Sequence, residues 1–186
     1  MKDYTELVAT ASEVSGDVDA VNYASSLVSV LEAKLSRSLK VRQAIESRKI
    51  TSSNLGTINT PDDFVELVSI FDGEKRLPAL PLDAVMGRVR EGYSIMGSKI
   101  YTTKPGRAYL VQYYAKLPPL RDVGCNWLLL EAPDIYLYGL VAEIAAKNFD
   151  QKASAAGVYL DQLVENFVSS NRQTLTSETV YQGARP

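Results

Sequence analysis

The sequence predicts an α+β fold, mainly helical, and three observations predict it. Long segments toward both ends place apolar residues at the three-and-four spacing of one helical face. The middle of the chain carries short runs rich in Tyr, Val, Ile and Thr, broken by turns containing Gly and Pro. An apolar share of 46% against 23% charged residues is enough for an ordinary globular core. The expected architecture is a helical bundle with a small antiparallel β-meander or hairpin element and an extended C-terminal tail. With 186 residues, the chain suits a single domain over 1–173 and a tail over 174–186.

Residues 3–14 predict a short helix closed by Gly16. Asp17 or Asp19 then caps a longer helix over 19–39, where Ala24, Leu27, Val28, Leu31 and Leu35 share one face. Lys34, Arg37 and Lys40 lie toward its C-terminus, where positive charge complements the helix dipole. Residues 41–50 read as a polar, partly exposed strand, and Ser52-Ser53-Asn54 with Gly56-Thr57 as a loop. Pro61-Asp62-Asp63-Phe64 leads into a strand over 64–71, ended by the turn pair Asp72-Gly73. A short helical turn follows at 80–86.

Strands over 93–96 and 99–103 flank Gly97-Ser98, the composition of a two-residue type II′ hairpin turn. Lys104-Pro105-Gly106-Arg107 puts Pro and Gly where a type II turn needs them, and residues 108–115 form a third strand. The expectation is a three-stranded antiparallel meander. Residues 133–149 predict a helix with Ile135, Tyr138, Val141, Ala145 and Phe149 on one stripe. Its Gly139, with Ala142, Ala145 and Ala146, would let another helix approach closely. Residues 152–172 predict its antiparallel partner, with Ala156, Leu160, Leu163, Val164, Phe167 and Val168 on one face. Beyond Arg172 the apolar period is lost, and residues 174–181 have β-type composition.

The densest apolar stretch lies between these halves. It runs Tyr113-Tyr114-Ala115-Lys116-Leu117-Pro118-Pro119-Leu120, then Asn126-Trp127-Leu128-Leu129-Leu130, then Ala132-Pro133-Asp134-Ile135-Tyr136-Leu137-Tyr138-Gly139. Here sit the only Trp, the only Cys (Cys125) and four of the eleven Tyr. Asn126 suits an N-cap, and Pro133 a first helical position, where its missing N–H costs nothing. Such a stretch is expected to pin a sheet onto a helical layer.

The chain has no histidine. That removes the commonest general base, the Ser-His and Cys-His nucleophiles and the commonest zinc ligand. Carboxylates remain, and Asp62, Asp63, Asp134 and Glu143 are the candidates for an enzyme built on them. Adjacent strand residues point to opposite faces, however, so Asp62 and Asp63 read as turn or cap residues. Asp134 reads as a first-turn helix carboxylate. Gly92 and Gly97-Ser98-Lys99 approach P-loop spacing, but the Lys and Ser are in the wrong order and a strand follows. No catalytic residue, cofactor or metal is expected. A lone cysteine excludes an internal disulfide and fits a reducing compartment. No apolar run approaches membrane-spanning length and the N-terminus has no signal-peptide pattern, so synthesis in the cytoplasm is expected.

The stretch "YYAKLPPL", a short polar gap and "NWLLLEAPDIYLYGLVAEIAA" is similar to the C-terminal half of tailed-bacteriophage head-to-tail adaptor proteins, also called head-completion or connector proteins. The resemblance covers residues 61–172 well, the N-terminal part more loosely and the last dozen residues hardly at all. It implies a structural virion protein, not an enzyme, made in the host cytoplasm and placed at the head-to-tail interface. The implied assembly is a ring of copies, dodecameric, below the portal, with the portal and tail or nozzle proteins as partners. Double-stranded DNA would pass through it at genome ejection without sequence-specific binding, and no membrane is involved. The tail over 174–186, with Leu175, Val180, Tyr181 and Arg185, is the expected partner-binding segment. The alternative is a DNA-binding or packaging accessory protein of the same virus. It rests on Lys34, Arg37, Lys40 and Arg42 and on the pair Arg48-Lys49, against a net charge of −2.

Overall fold

A computed structural model describes residues 1–150 and 153–182, with residues 172–182 as backbone alone. Helix accounts for about 49% of the chain and strand for 22%, so the α+β class with a helical majority holds. The helices do not form a clear bundle with an appended hairpin: the chain divides into two compact units, residues 1–44 with 116–186, and residues 45–115.

The first unit is helical. Helix α1 (Tyr4–Ser15) starts at Asp3, whose carboxylate accepts the Glu6 amide at 2.9 Å, and ends at Gly16 with φ 72°. That left-handed position is open to glycine at no steric cost. Helix α2 (Ala20–Ser38) follows Asp19, but the carboxylate that accepts a backbone amide there is Asp17, from Asp19 at 3.0 Å. Two short helices, α4 (Leu120–Val123) and α5 (Trp127–Glu131), precede α6 (Pro133–Lys147). Asn126 caps α5 by accepting the Leu129 amide at 3.1 Å, and Pro133 opens α6, both as their chemistry predicts.

Helix α7 (Ala153–Gln182) is longer than expected. The extended tail is thereby corrected: Leu175, Val180 and Tyr181 lie on helical backbone, while Arg185 lies outside the described residues. Once a helix is nucleated each further residue adds a hydrogen bond, which outweighs the weak β preference of Thr and Val.

Leu7, Ala24, Leu31, Leu35, Leu128, Ile135 and Leu140 anchor the core of this unit, with Trp127 and Phe167 stacked at 6.5 Å on its margin. Gly139 lets α6 approach α2, since a Cβ there would stand 2.7 Å from the Leu31 Cδ1. At Gly139 the helix admitted is α2.

The second unit holds two sheets and the short helix α3 (Leu82–Met86). Strands β1 (Ile45–Thr51), β7 (Ala108–Ala115), β3 (Phe64–Asp72) and β4 (Lys75–Arg76) form one sheet in the spatial order β1-β7-β3-β4. Strands β2 (Thr57–Asn59), β6 (Lys99–Thr102) and β5 (Tyr93–Met96) form the other, in the order β2-β6-β5. The predicted meander is therefore corrected. The β5–β6 hairpin forms, with Gly97 alone of the two turn residues at positive φ (59°), as type II′ requires. β7, however, leaves for the other sheet. Its eight residues pair along β1 and β3, of seven and nine residues, which offer far more ladder than the four of β6.

Three other boundaries differ. Residues 42–44 form a 3-10 turn, so β1 begins at Ile45. Thr57 lies on β2 instead of in the loop, paired with Tyr101. The Asp72-Gly73 turn leads directly into β4. Ile58 and Ile100 from one sheet and Ile70, Tyr109, Val111 and Tyr113 from the other share this unit's core.

Candidate interaction surfaces

The residues that could have carried chemistry are occupied by structural bonds. Asp63 accepts from Arg48 at 2.6 Å and from the Tyr113 hydroxyl at 3.0 Å. Burial first, then the bond to Asp63, pushes the Tyr113 phenol up to about 12. Asp134 lies in the first turn of α6, and Glu143 is ion-paired with Lys34. Asp62 and Asp63 belong to one unit and Asp134 and Glu143 to the other. Among the described residues no group of three or more His, Cys, Asp or Glu could hold a metal. Gly92 is buried, its amide directed to Thr103 Oγ1 at 3.3 Å and its Cα face closed by Leu80, so it cradles no phosphate.

Most of the cations that favoured DNA binding are likewise engaged. Lys34 is held by Glu143, Arg37 donates Nε to the Ala33 carbonyl at 3.0 Å, and Arg48 bridges Asp63 and the Tyr113 ring. Lys40 and Arg42 each have an interaction within the chain. Lys49 is exposed on β1.

Three surface features emerged that composition did not reveal. The first is a junction at one end of the helical unit. Asp17, in the α1–α2 turn, accepts from Asn148 Nδ2 at 2.6 Å and from the Tyr23 hydroxyl. The Tyr23 bond, then the Asn148 bond, holds the Asp17 carboxyl below the usual carboxylate range. Lys147 Nζ stands 3.4 Å above the Tyr23 ring. Beside the junction Phe149 is 95% exposed, with φ +54°, and Val18 is 85% exposed. The sequence put Phe149 on the apolar stripe of a helix over 133–149; α6 instead ends at Lys147 and Phe149 is exposed in the turn that follows. That the aromatic residue, and no glycine, takes the left-handed position was not visible in the sequence either.

The second is a hollow of about 580 Å³ in the sheet unit, lined by Lys49, Asp72, Gly73, Arg107, Ala108 and Leu110. Asp72 holds Lys104 at 3.2 Å and Arg107 at 3.4 Å, and Lys104 reaches on to Glu91 at 2.6 Å, which also binds Lys75. Lys104 and then Lys75 lower the Glu91 carboxyl to about 2. The third is a groove of about 420 Å³ between α2 and α7, with Leu35, Leu160, Val164 and Val168 below Asp161 and Glu165.

Compared with known proteins, the chain matches the family model described as SU10 adaptor protein over residues 2–183. No curated protein matches it. The match takes in α1 and α2 and nearly all of the C-terminal segment, well beyond the 61–172 span in which the resemblance is evident by eye.

Proposed function

The chain belongs to the SU10 adaptor protein family, and from that premise we propose that it is a tailed-bacteriophage head-to-tail adaptor that assembles as a ring below the portal. That it is a structural phage protein follows from the family; the ring, the portal contact and the passage of DNA are our reading. The ring is dodecameric, with residues 1–173 forming its body and residues 174–186 reaching the portal or a neighbouring copy. Leu175, Val180, Tyr181 and Arg185 are the contact residues of that segment. Tail or nozzle proteins dock on the opposite side, and double-stranded DNA leaves the capsid through the lumen.

The observation that carries this reading is the family match over 182 of the 186 residues (2–183). It is supported by the way in which the carboxylates and cations are tied up inside the chain, which leaves shape and surface as its means of acting. No described helix is long and apolar enough to cross a membrane. In a ring each copy presents one patch to a different patch of its neighbour, and the rotation between them sets closure.

Mass-resolved chromatography of the full chain with and without purified portal, followed by imaging of the complex, tests the proposal. A closed ring of adaptor copies on the portal is expected. A chain that stays monomeric beside an unoccupied portal would rule the reading out. Deleting residues 174–186 is expected to abolish attachment, and unchanged attachment would remove the role assigned to that segment.

A further inference from the structure

We propose that the Phe149 end of the helical unit is a knob that seats in the Lys49–Arg107 hollow of a second copy of this chain. The inference rests on the ring reading and supplies the two unlike patches that a ring requires.

The knob is built at a conformational cost. A bulky aromatic residue at φ +54° is an outlier, since a Cβ crowds the neighbouring carbonyl in the left-handed region. A turn needing only that backbone would take Gly or Asn. Strain of this kind persists where the surroundings enforce it and concentrates at working surfaces. Here the Asn148–Asp17 bond and the Tyr23 hydroxyl on Asp17 brace both turns. Phe149 and Val18, the residues following that bonded pair, project their apolar side chains into solvent.

Charge selects the receiving site. Asp150 and Asp19, the exposed residues that follow Phe149 and Val18, are acidic, while the nearby cation, Lys147, is drawn over the Tyr23 ring. Two other hollows are acidic: the α2–α7 groove carries Asp161 and Glu165 against one lysine, Lys34, and another carries Glu131 and Asp134; both would repel this rim. The hollow in the sheet unit carries Lys49 and Arg107 over an apolar floor of Ala108 and Leu110, the latter 39% exposed. Its acid, Asp72, is ion-paired with Lys104 and Arg107, and Lys49 adds a further positive charge. At about 580 Å³ it lies within the range of pockets that enclose drug-sized ligands, so an aromatic side chain fits. Knob and hollow are different surfaces, so their contact propagates from copy to copy instead of ending at a dimer.

The test uses full-length variants on the portal, read by mass-resolved chromatography and imaging, with melting curves as a folding control. Phe149→Ala (no knob) and Leu110→Arg (blocked hollow) should each weaken assembly of copies at least tenfold. Mixed together they should form pairs and nothing larger, because one intact knob meets one intact hollow. Should Leu110→Arg fail to fold, Lys49→Glu with Arg107→Glu replaces it, and Asp19→Lys with Asp150→Lys in the partner copy should restore pairing. Rings of Phe149→Ala that form like wild type would overturn the inference while leaving the ring intact. So would normal rings of that variant that lose only portal attachment, since the knob would then belong to the portal. A wild-type chain that makes no ring removes the earlier reading instead.

Discussion

Glu32 on α2 accepts the Tyr136 hydroxyl of α6 at 3.2 Å through the same carboxylate oxygen that accepts the Leu120 amide at 2.8 Å. One turn later Ser36 Oγ accepts the Leu117 amide at 3.0 Å. Asn126 completes the arrangement, donating to the Pro118 carbonyl and to the Tyr136 oxygen, each at 2.8 Å. Side chains of one helix thus hold the amides on either side of Pro118-Pro119. Buried donors need such acceptors, because an orphaned one costs about 1–3 kcal/mol.

Glu32 therefore sets a pH dependence that can be measured. Burial raises its pKa from the usual 4.5, against the smaller lowering by Leu120 and Tyr136. The folded state holds this proton more tightly than the unfolded one. The stabilising contribution is full below pH 4.5 and is lost as pH rises through the folded value. Glu32→Gln, which keeps an acceptor oxygen without the charge, should melt no lower than wild type at pH 7 and flatten the profile above pH 4.5. Glu32→Ala should lose about 2–6 kcal/mol at pH 5, with two donors orphaned at about 1–3 kcal/mol each. A lower melting temperature for the Gln variant at pH 7 would refute the assignment.

Much of this was legible in the residues. Asn126, Pro133, Gly16, Gly97 and Gly106 each sit where their backbone chemistry demands, and they delimit the end of α1, the starts of α5 and α6 and two turns. Local chemistry reads local structure. The partner of β7 was not legible, because strand pairing depends on which long strands are available elsewhere in the chain. Nor was the extent of α7, where helix propagation overrides residue preference. The surfaces were hardest to foresee. Asp17 and Asn148 stand 131 positions apart, and no periodicity announces that they bond.

The α2–α6 crossing gives a packing prediction. A Cβ on Gly139 would come within 2.7 and 2.8 Å of the Leu31 methyls, in a core where Leu31 is fully buried. Gly139→Ala should therefore destabilise by about 1–3 kcal/mol through overpacking. Leu31→Ala alone should cost about 2–5 kcal/mol through its cavity. The double variant should be less destabilised than the sum, by about 0.5 kcal/mol or more, since the new methyl occupies part of that cavity. Denaturant unfolding of all four chains measures the cycle, and strict additivity would mean that the two side chains do not meet.

Phe149 predicts an opposition between stability and assembly. Phe149→Gly relieves a left-handed penalty of about 1–2 kcal/mol. It adds a glycine entropy cost of about 0.5–1 kcal/mol. The isolated chain should consequently gain up to about 1.5 kcal/mol in urea unfolding while copy-to-copy assembly weakens. A variant that loses stability would show that the Phe149 ring packs on its own chain.

Glu91 predicts the acid limb. Lys104, then Lys75, holds its carboxyl near 2 instead of 4.5, so the folded state resists protonation. The stabilisation is present above pH 4.5 and lost as pH falls toward 2. Glu91→Gln should flatten the melting profile of the sheet unit in that window. Because the pair is solvent-exposed, 1 M salt should shrink the difference between variant and wild type. A difference that is insensitive to salt would point to a packing role for the side chain.

DNA that must slide through a ring should find few cations to hold it, since each phosphate contact adds salt-dependent affinity. The net charge is −2, and Lys34 and Arg48, two of the cations on which a DNA-binding role would depend, are neutralised by Glu143 and Asp63. A gel-shift assay with duplex DNA at near-physiological salt should accordingly show no retained complex for the wild-type chain. Glu143→Gln combined with Asp63→Asn releases both cations without altering the fold's apolar core. That variant should bind duplex DNA measurably more tightly, with a steeper dependence on salt. Tight binding by the wild type under the same conditions would reinstate the packaging or DNA-binding role and count against a lumen through which DNA slips.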